Sequence, residues 1–174
     1  MRTVDLLFFM GQSNMAGRGD AALAPVIAPG MGYEYRAVTD PDTLHPLEEP
    51  FGVNENDPAG VYGPGMKTGS MVSSFVNACT AQTSVPVVGV SCAKGGSAIA
   101  KWLPGTPYYQ DAVRRARKAR AFCRQTAIPS ATAPWSGARA APTATCTPPR
   151  TSTKPTPSAS CTALCRMRAR KPAF

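Results

Sequence analysis

Val4-Asp5-Leu6-Leu7-Phe8-Phe9-Met10-Gly11-Gln12-Ser13-Asn14-Met15 decides the fold. Its first seven residues form a short apolar run that glycine closes, as in a strand buried within a parallel sheet. Ser13 then falls where the buried strand ends and the chain turns. In an open α/β sheet the carboxyl ends of the strands are where active sites gather. A serine there becomes a useful nucleophile only if a base takes its proton and donors hold the oxyanion. Gly11 permits a tight turn, the backbone N–H of Ser13 is a candidate donor, and Gln12 and Asn14 bring side-chain amides.

Downstream the rhythm repeats. Met71, Val72, Phe75, Val76 and Cys79 recur at helical spacing, so a helix is expected from about Met71 to Ala81, with Ser70 as its cap. Val85-Pro86-Val87-Val88-Gly89-Val90-Ser91 is β-branched and short, and reads as a second buried strand. Gly95-Gly96-Ser97 follows it, so this turn should lie beside Ser13. Two adjacent glycines leave backbone N–H groups unshielded, which is how an oxyanion hole is often built; glycine used only for a positive φ is the structural alternative. A second helix is expected from about Tyr108 to Phe122. Ala112, Val113, Ala116, Ala119 and Phe122 should face inward, and Arg114, Arg115, Arg117 and Lys118 outward. Strand, helix, strand, helix is the signature of a parallel α/β sheet. Residues 16–67 are rich in glycine, proline and polar turns such as Asp40-Pro41-Asp42, and read as irregular.

Phe8-Phe9-Met10-Gly11-Gln12-Ser13-Asn14-Met15-Ala16-Gly17 resembles the first block of the sialate O-acetylesterase-like branch of the SGNH hydrolases. This branch includes carbohydrate esterases acting on acetylated xylan. Val88 to Ile99, followed by Trp102, is similar to the second block. The resemblance covers residues 4 to about 122. It implies an α/β fold, an incomplete three-layer α/β/α (flavodoxin-like) parallel sheet. It also implies an acetylated carbohydrate as substrate, Ser13 as nucleophile, and Ser13 with Gly95 or Gly96 as oxyanion donors. It calls for no metal or organic cofactor. The family pattern also asks for a Gln-Gly block and for an Asp and a His near the C-terminus, and the sequence holds neither. The only histidine is His45, expected on a solvated loop and ahead of the second block. Hydrolysis should therefore be impaired. Trp102, Tyr108 and Tyr109 are candidates to stack on a sugar ring or to pack on the sheet.

The chain of 174 residues suits one domain, and the net charge of +9 is unevenly spread. Residues 1–122 hold 11 Lys/Arg against 10 Asp/Glu, whereas residues 123–174 hold 8 Lys/Arg and no acid. That tail is dominated by Ala, Thr, Pro, Ser and Arg and shows no period. Such a composition buries too little apolar surface to offset ordering entropy, so disorder is expected. Its charge fits non-specific polyanion binding, with nucleic acid as the alternative partner, although it offers only Trp135 and Phe174 for stacking. Cys161 and Cys165 lack the further ligands a zinc site needs. A disulfide framework is not expected either. The N-terminus reads as a core strand, not a signal peptide, no apolar run is long enough to span a membrane, and a cytoplasmic location is expected.

The abrupt change near Phe122 has two readings: a natural low-complexity tail, or a tail translated out of frame. Codons for Ser136 to Thr145, read two bases in with Arg139 as AGG, permit Trp-Cys-Gln-Gly-Ser-Ala-Asp-Gly-Asp. That string looks like the missing Gln-Gly block in its expected place.

Overall fold

The computed structural model describes residues 3–61, 67–126 and 164–165. Strand β1 spans Asp5–Gly11 and is followed by a one-turn helix α1, Ser13–Ala16. A 3-10 turn at Ala21–Leu23 leads to β2, Gly32–Arg36, and β3, Asp40–Pro46. Helix α2, Val72–Thr83, precedes β4, Val87–Ala93. A second 3-10 turn, Ile99–Trp102, leads to α3, Pro107–Gln125, and a two-residue strand β5 lies at Leu164–Cys165. The sheet order is β3-β2-β4-β1-β5.

The sheet is the core because β1 and β4 alternate apolar side chains to two faces. Leu7 and Phe9 pack with Val72, Val76 and Cys79 of α2 on one face. Leu6, Val88, Val90 and Cys92 pack with Ala112, Ala119 and Cys123 of α3 on the other. This gives the three layers of an α/β/α domain. All seven residues of β4 are buried, as befits a strand with neighbours on both edges and helices on both faces. Burying one Phe or Val side chain contributes about 1.5–3 kcal/mol. Gly89 makes room at the centre of β4: a Cβ there would lie 3.0 Å from Leu47 and 3.1 Å from Phe9. The absent side chain lets the segment around Leu47 and Phe51 close over the sheet, where Phe51 meets Phe9 edge-on at 5.3 Å.

The expected α/β architecture holds, with a mixed sheet. β1, β4 and β2 run parallel, but β3 pairs antiparallel with β2. Residues 16–67 therefore contain a hairpin where an irregular stretch was expected. Pro41 and Pro46 concealed β3; proline is tolerated there because β3 is an edge strand with one side free of ladder bonds. Glu34, buried in the middle of β2, concealed the other strand. β4 starts two residues later than expected, and α2 ends two residues later, at Thr83. Ser70 Oγ accepts the Val72 N–H at 3.0 Å, while Glu49 accepts from Ser70 Oγ and from the Ser70 and Ser73 backbones.

Helix α3 runs past the expected boundary at Phe122, and Cys123 is part of the core. Residues 123–125, assigned to the tail from sequence, are thus the last turn of α3. Apart from β5, whose backbone pairs with Phe8 and Phe9, the rest of the expected disordered tail lies outside the described residues.

One expectation for α3 fails outright. Arg115 does not face outward; it is wholly buried. Its Nε donates to Asp111 Oδ2 at 2.8 Å, and its Nη1 to Glu55 Oε2 and Ser91 O, both at 3.2 Å. Glu55 accepts in turn from the Val38 and Thr39 backbones and from Thr39 Oγ1. One guanidinium thus ties α3, β4, the hairpin turn and the segment before residue 62 together. Removing it strands two buried carboxylates, which typically costs about 3–5 kcal/mol. In urea unfolding, Arg115→Met should lose stability on that scale, while Arg117→Met, on an exposed position of the same helix, should stay within about 0.5 kcal/mol of the parent.

Candidate active site

Parallel pairing of β1 with β4 puts Gly11 opposite Ala93. The chain leaves both strands at the same sheet edge, where three contacts join the two turns and two more brace the second turn internally. Lys94 N donates to Gly11 O at 2.9 Å. Gln12 Nε2 donates to Ser97 O. Ser97 Oγ donates to Lys94 O at 2.7 Å and accepts the Trp102 indole N–H at 2.9 Å. The Arg18 guanidinium lies over Gly95.

Ser13 opens α1 and is half-buried, while Gln12 and Asn14 on either side are exposed. Gly11 has φ +147°, in the range that glycine favours, and a Cβ there would press on Met15 at 3.2 Å. Gly95 is buried; Gly96 is exposed, with φ +70° and open space where a Cβ would stand. The structure therefore brings together all five candidate residues: Gln12, Ser13, Asn14, Gly95 and Gly96. Gln12 braces the two turns through one of its amide hydrogens. Trp102 belongs to the same cluster: its ring lies 5.5 Å from that of Tyr108, and Lys101 Nζ sits 5.8 Å over Tyr108. Tyr109 is half-buried on α3.

His45 stands elsewhere. It is on β3, not on a loop, and its Nε2 is 2.9 Å from Asp40 Oδ2. In register it faces Glu34, which faces Gly89, which faces Leu7. Three strand spacings of about 4.8 Å place it roughly 14 Å across the sheet from β1. Ser13 is six residues further along, so His45 cannot reach its hydroxyl. Among the described residues, no group of three His, Cys, Asp or Glu side chains could hold a metal ion. Among them too, no helix is long and apolar enough to cross a membrane.

Beneath this edge lies a buried cation that the sequence did not reveal. Lys67 Nζ donates to Gly52 O at 2.6 Å and to Ser91 Oγ at 2.9 Å. Gly52 has no side chain because one would collide with Ser91 Oγ at 2.1 Å. No local pattern marks Lys67, since its partners are 15 and 24 residues away. Ser97 and Arg18 were likewise not singled out as contact residues, although Ser97 stands within the second motif and Arg18 directly follows the first.

The polar Ser13 turn lies at the carboxyl edge of the parallel strands of an α/β sheet, beside the glycine turn that follows the neighbouring strand. A family model described as carbohydrate esterase, sialic acid-specific acetylesterase, matches residues 3–128, and the chain belongs to that family. Comparison with curated proteins gives no match. Among solved structures, the chain is similar to the X-ray structure of a protein from Arabidopsis thaliana, with 24% identity and a TM-score of 0.50. That likeness is one of fold. The alignment covers 73% of this chain and 54% of the other, so the chain spans about half the length of that relative.

Burial pulls the Lys67 amine down from 10.5 to about 8, with nearby Arg115 adding to the effect. The unfolded lysine therefore holds a proton that the folded one has released between about pH 8 and pH 10.5. Stability gained from this group should rise with pH through that window, and below it the cost of burying the cation is fully present. Burial raises Cys92 and Tyr35 to about 12 each, which works in the opposite direction at higher pH. The difference between parent and Lys67→Met isolates the lysine. Measured by urea unfolding, parent stability should climb relative to the variant from pH 8 to pH 10; a flat difference would contradict the assignment.

Proposed function

We propose that residues 3–128 form the nucleophile half of a serine-type carbohydrate acetylesterase site of SGNH character. Ser13 is the nucleophile, and the backbone N–H groups of Ser13 and of Gly95 or Gly96 receive the oxyanion. Gln12 and Asn14 border the site, and an O-acetylated carbohydrate is the substrate. The observation that carries this reading is the convergence of the Ser13 and Gly95-Gly96 turns through the Gln12–Ser97 bond. Open space above Gly96 leaves room for an acetyl group, and Trp102, pinned by Ser97, offers a sugar ring a wall to stack on. Membership of a carbohydrate esterase family supports the substrate class.

In a complete site of this kind Ser13 Oγ attacks the acetyl carbonyl carbon while a base takes the hydroxyl proton. The tetrahedral oxyanion collapses, the C–O bond to the sugar breaks, and the sugar oxygen takes the proton. Water then attacks the acetyl-serine by the same route and releases acetate. With His45 out of reach, no imidazole serves Ser13. General-base assistance is typically worth about 10²–10⁴ in rate, so this chain hydrolyses acetyl esters poorly.

The path from β1 to β4 passes through the β2–β3 hairpin and α2, which packs on one face, and α3 leaves β4 on the opposite face. Because such crossovers are right-handed, a strand following α3 should travel the other way, to the side of β1 where the two-residue β5 pairs with Phe8 and Phe9. The out-of-frame reading supplies a candidate. With Ser136 as TCN, the shifted codons before the Trp-Cys-Gln-Gly string are NTG and GTC. They encode Leu, Met or Val, followed by Val. An apolar run ahead of a glycine-bearing turn is how β1 ends too. The coding DNA around codons 120–130 tests this: a shifted frame that stays open supports the reading, and stops within a few codons end it.

Hydrolysis of 4-nitrophenyl acetate tests the functional reading. The parent chain should exceed Ser13→Ala by less than about tenfold, because the general-base factor is absent. A hundredfold or larger loss on that substitution would mean that Ser13 has a base after all.

A further inference from the structure

A groove of about 590 Å³ lies between the segment 21–30, the end of β3 and the start of α2. No residue of the Ser13 or Gly95-Gly96 turns lines it. Its volume falls in the range of roughly 300–1,000 Å³ usual for small-molecule sites. Its walls are apolar, with Ala24, Pro25, Val26 and Ile27 from the first segment and Pro46 and Leu47 from the hairpin.

Both walls are anchored. Asn77 Nδ2 of α2 donates to Val26 O at 3.0 Å. Ile27 packs against the core and lies over Gly32, where a Cβ would stand 2.9 Å from its Cγ2. Leu47 is buried, and its N–H donates to Gly32 O at 3.1 Å. Val26 is thus held by its backbone, yet its side chain is 90% exposed. An apolar ligand in the groove would take such surface out of water.

Charge in the groove has one sign. The lining holds Glu48 and Glu49 and no Lys or Arg. Glu49 is occupied, since it accepts from the Phe51 and Ser70 N–H groups and from Ser70 Oγ. Glu48 is exposed and has no hydrogen bond or ion pair among the described residues. A concave site lined by one sign of charge attracts ligands of the other.

We propose that this groove binds an organic ammonium ion, with its apolar body between Val26, Ile27 and Leu47 and its charged end on Glu48. The site is separate from the Ser13 edge and does not depend on the esterase reading.

NMR titration of the full chain with two probes, hexylammonium and 1-hexanol, tests this. They share the apolar body and differ in charge. Both should shift the Val26, Ile27 and Leu47 amides. Hexylammonium should bind about fivefold more tightly, the scale of one exposed ion pair. The preference should vanish in about 0.5 M NaCl, where screening is strong. Glu48→Gln should abolish the preference and leave hexanol binding unchanged. Equal binding of the two probes, equal weakening of both by Glu48→Gln, or shifts that miss the groove would each overturn the proposal, as would no binding at all. The salt titration needs no variant, so it decides the matter even if Glu48→Gln does not fold.

Discussion

The parallel pairing of β1 with β4 is the constraint from which the site follows. Seven consecutive residue pairs, Asp5 with Val87 through Gly11 with Ala93, fix where each strand ends. A slip of one residue would turn Leu7 and Phe9 towards α3 and Leu6 towards α2, reversing both cores. The hydrophobic alternation therefore sets the register, and the register brings Ser13 and Gly95-Gly96 to the same edge. Gln12, Ser97 and Trp102 then lock a geometry that the apolar core has already chosen.

A second layer of order is polar and buried. Arg115, Asp111 and Glu55 hold α3 to the hairpin turn, and Lys67 holds Gly52 to Ser91. Such clusters favour one arrangement because each member left without partners is costly. They attach segments with little apolar content of their own, notably residues 48–61, to the sheet that carries the site. Glu49 does the same at the start of α2.

Much of this was legible in the sequence, for identifiable reasons. β1, β4, α2 and α3 announce themselves because their apolar residues follow the period of a strand or helix. Both site turns could be found because glycine and serine directly follow buried strands. The β2–β3 hairpin was illegible: its prolines and its buried Glu34 break the strand pattern, and edge position and a partner at Gly52 N make them acceptable. Arg115 misled for a related reason. On α3 it stands between Arg114 and Arg117 in what looks like a solvated face. Asp111, four residues earlier, was the only local hint that it turns inward to an ion pair. Lys67 gave no hint at all, because burial of a lysine depends on segments distant in sequence.

In the function we propose, Ser13 is positioned but not activated. Labelling with an alkyl fluorophosphonate, followed by mass spectrometry of the peptide that contains Ser13, tests it most directly. Such reagents modify a serine rapidly only when a base and an oxyanion hole act together. The expected result is that Ser13 reacts no faster than the chain's exposed serines. Rapid stoichiometric modification at Ser13 would contradict the account and require a base that the two turns do not contain.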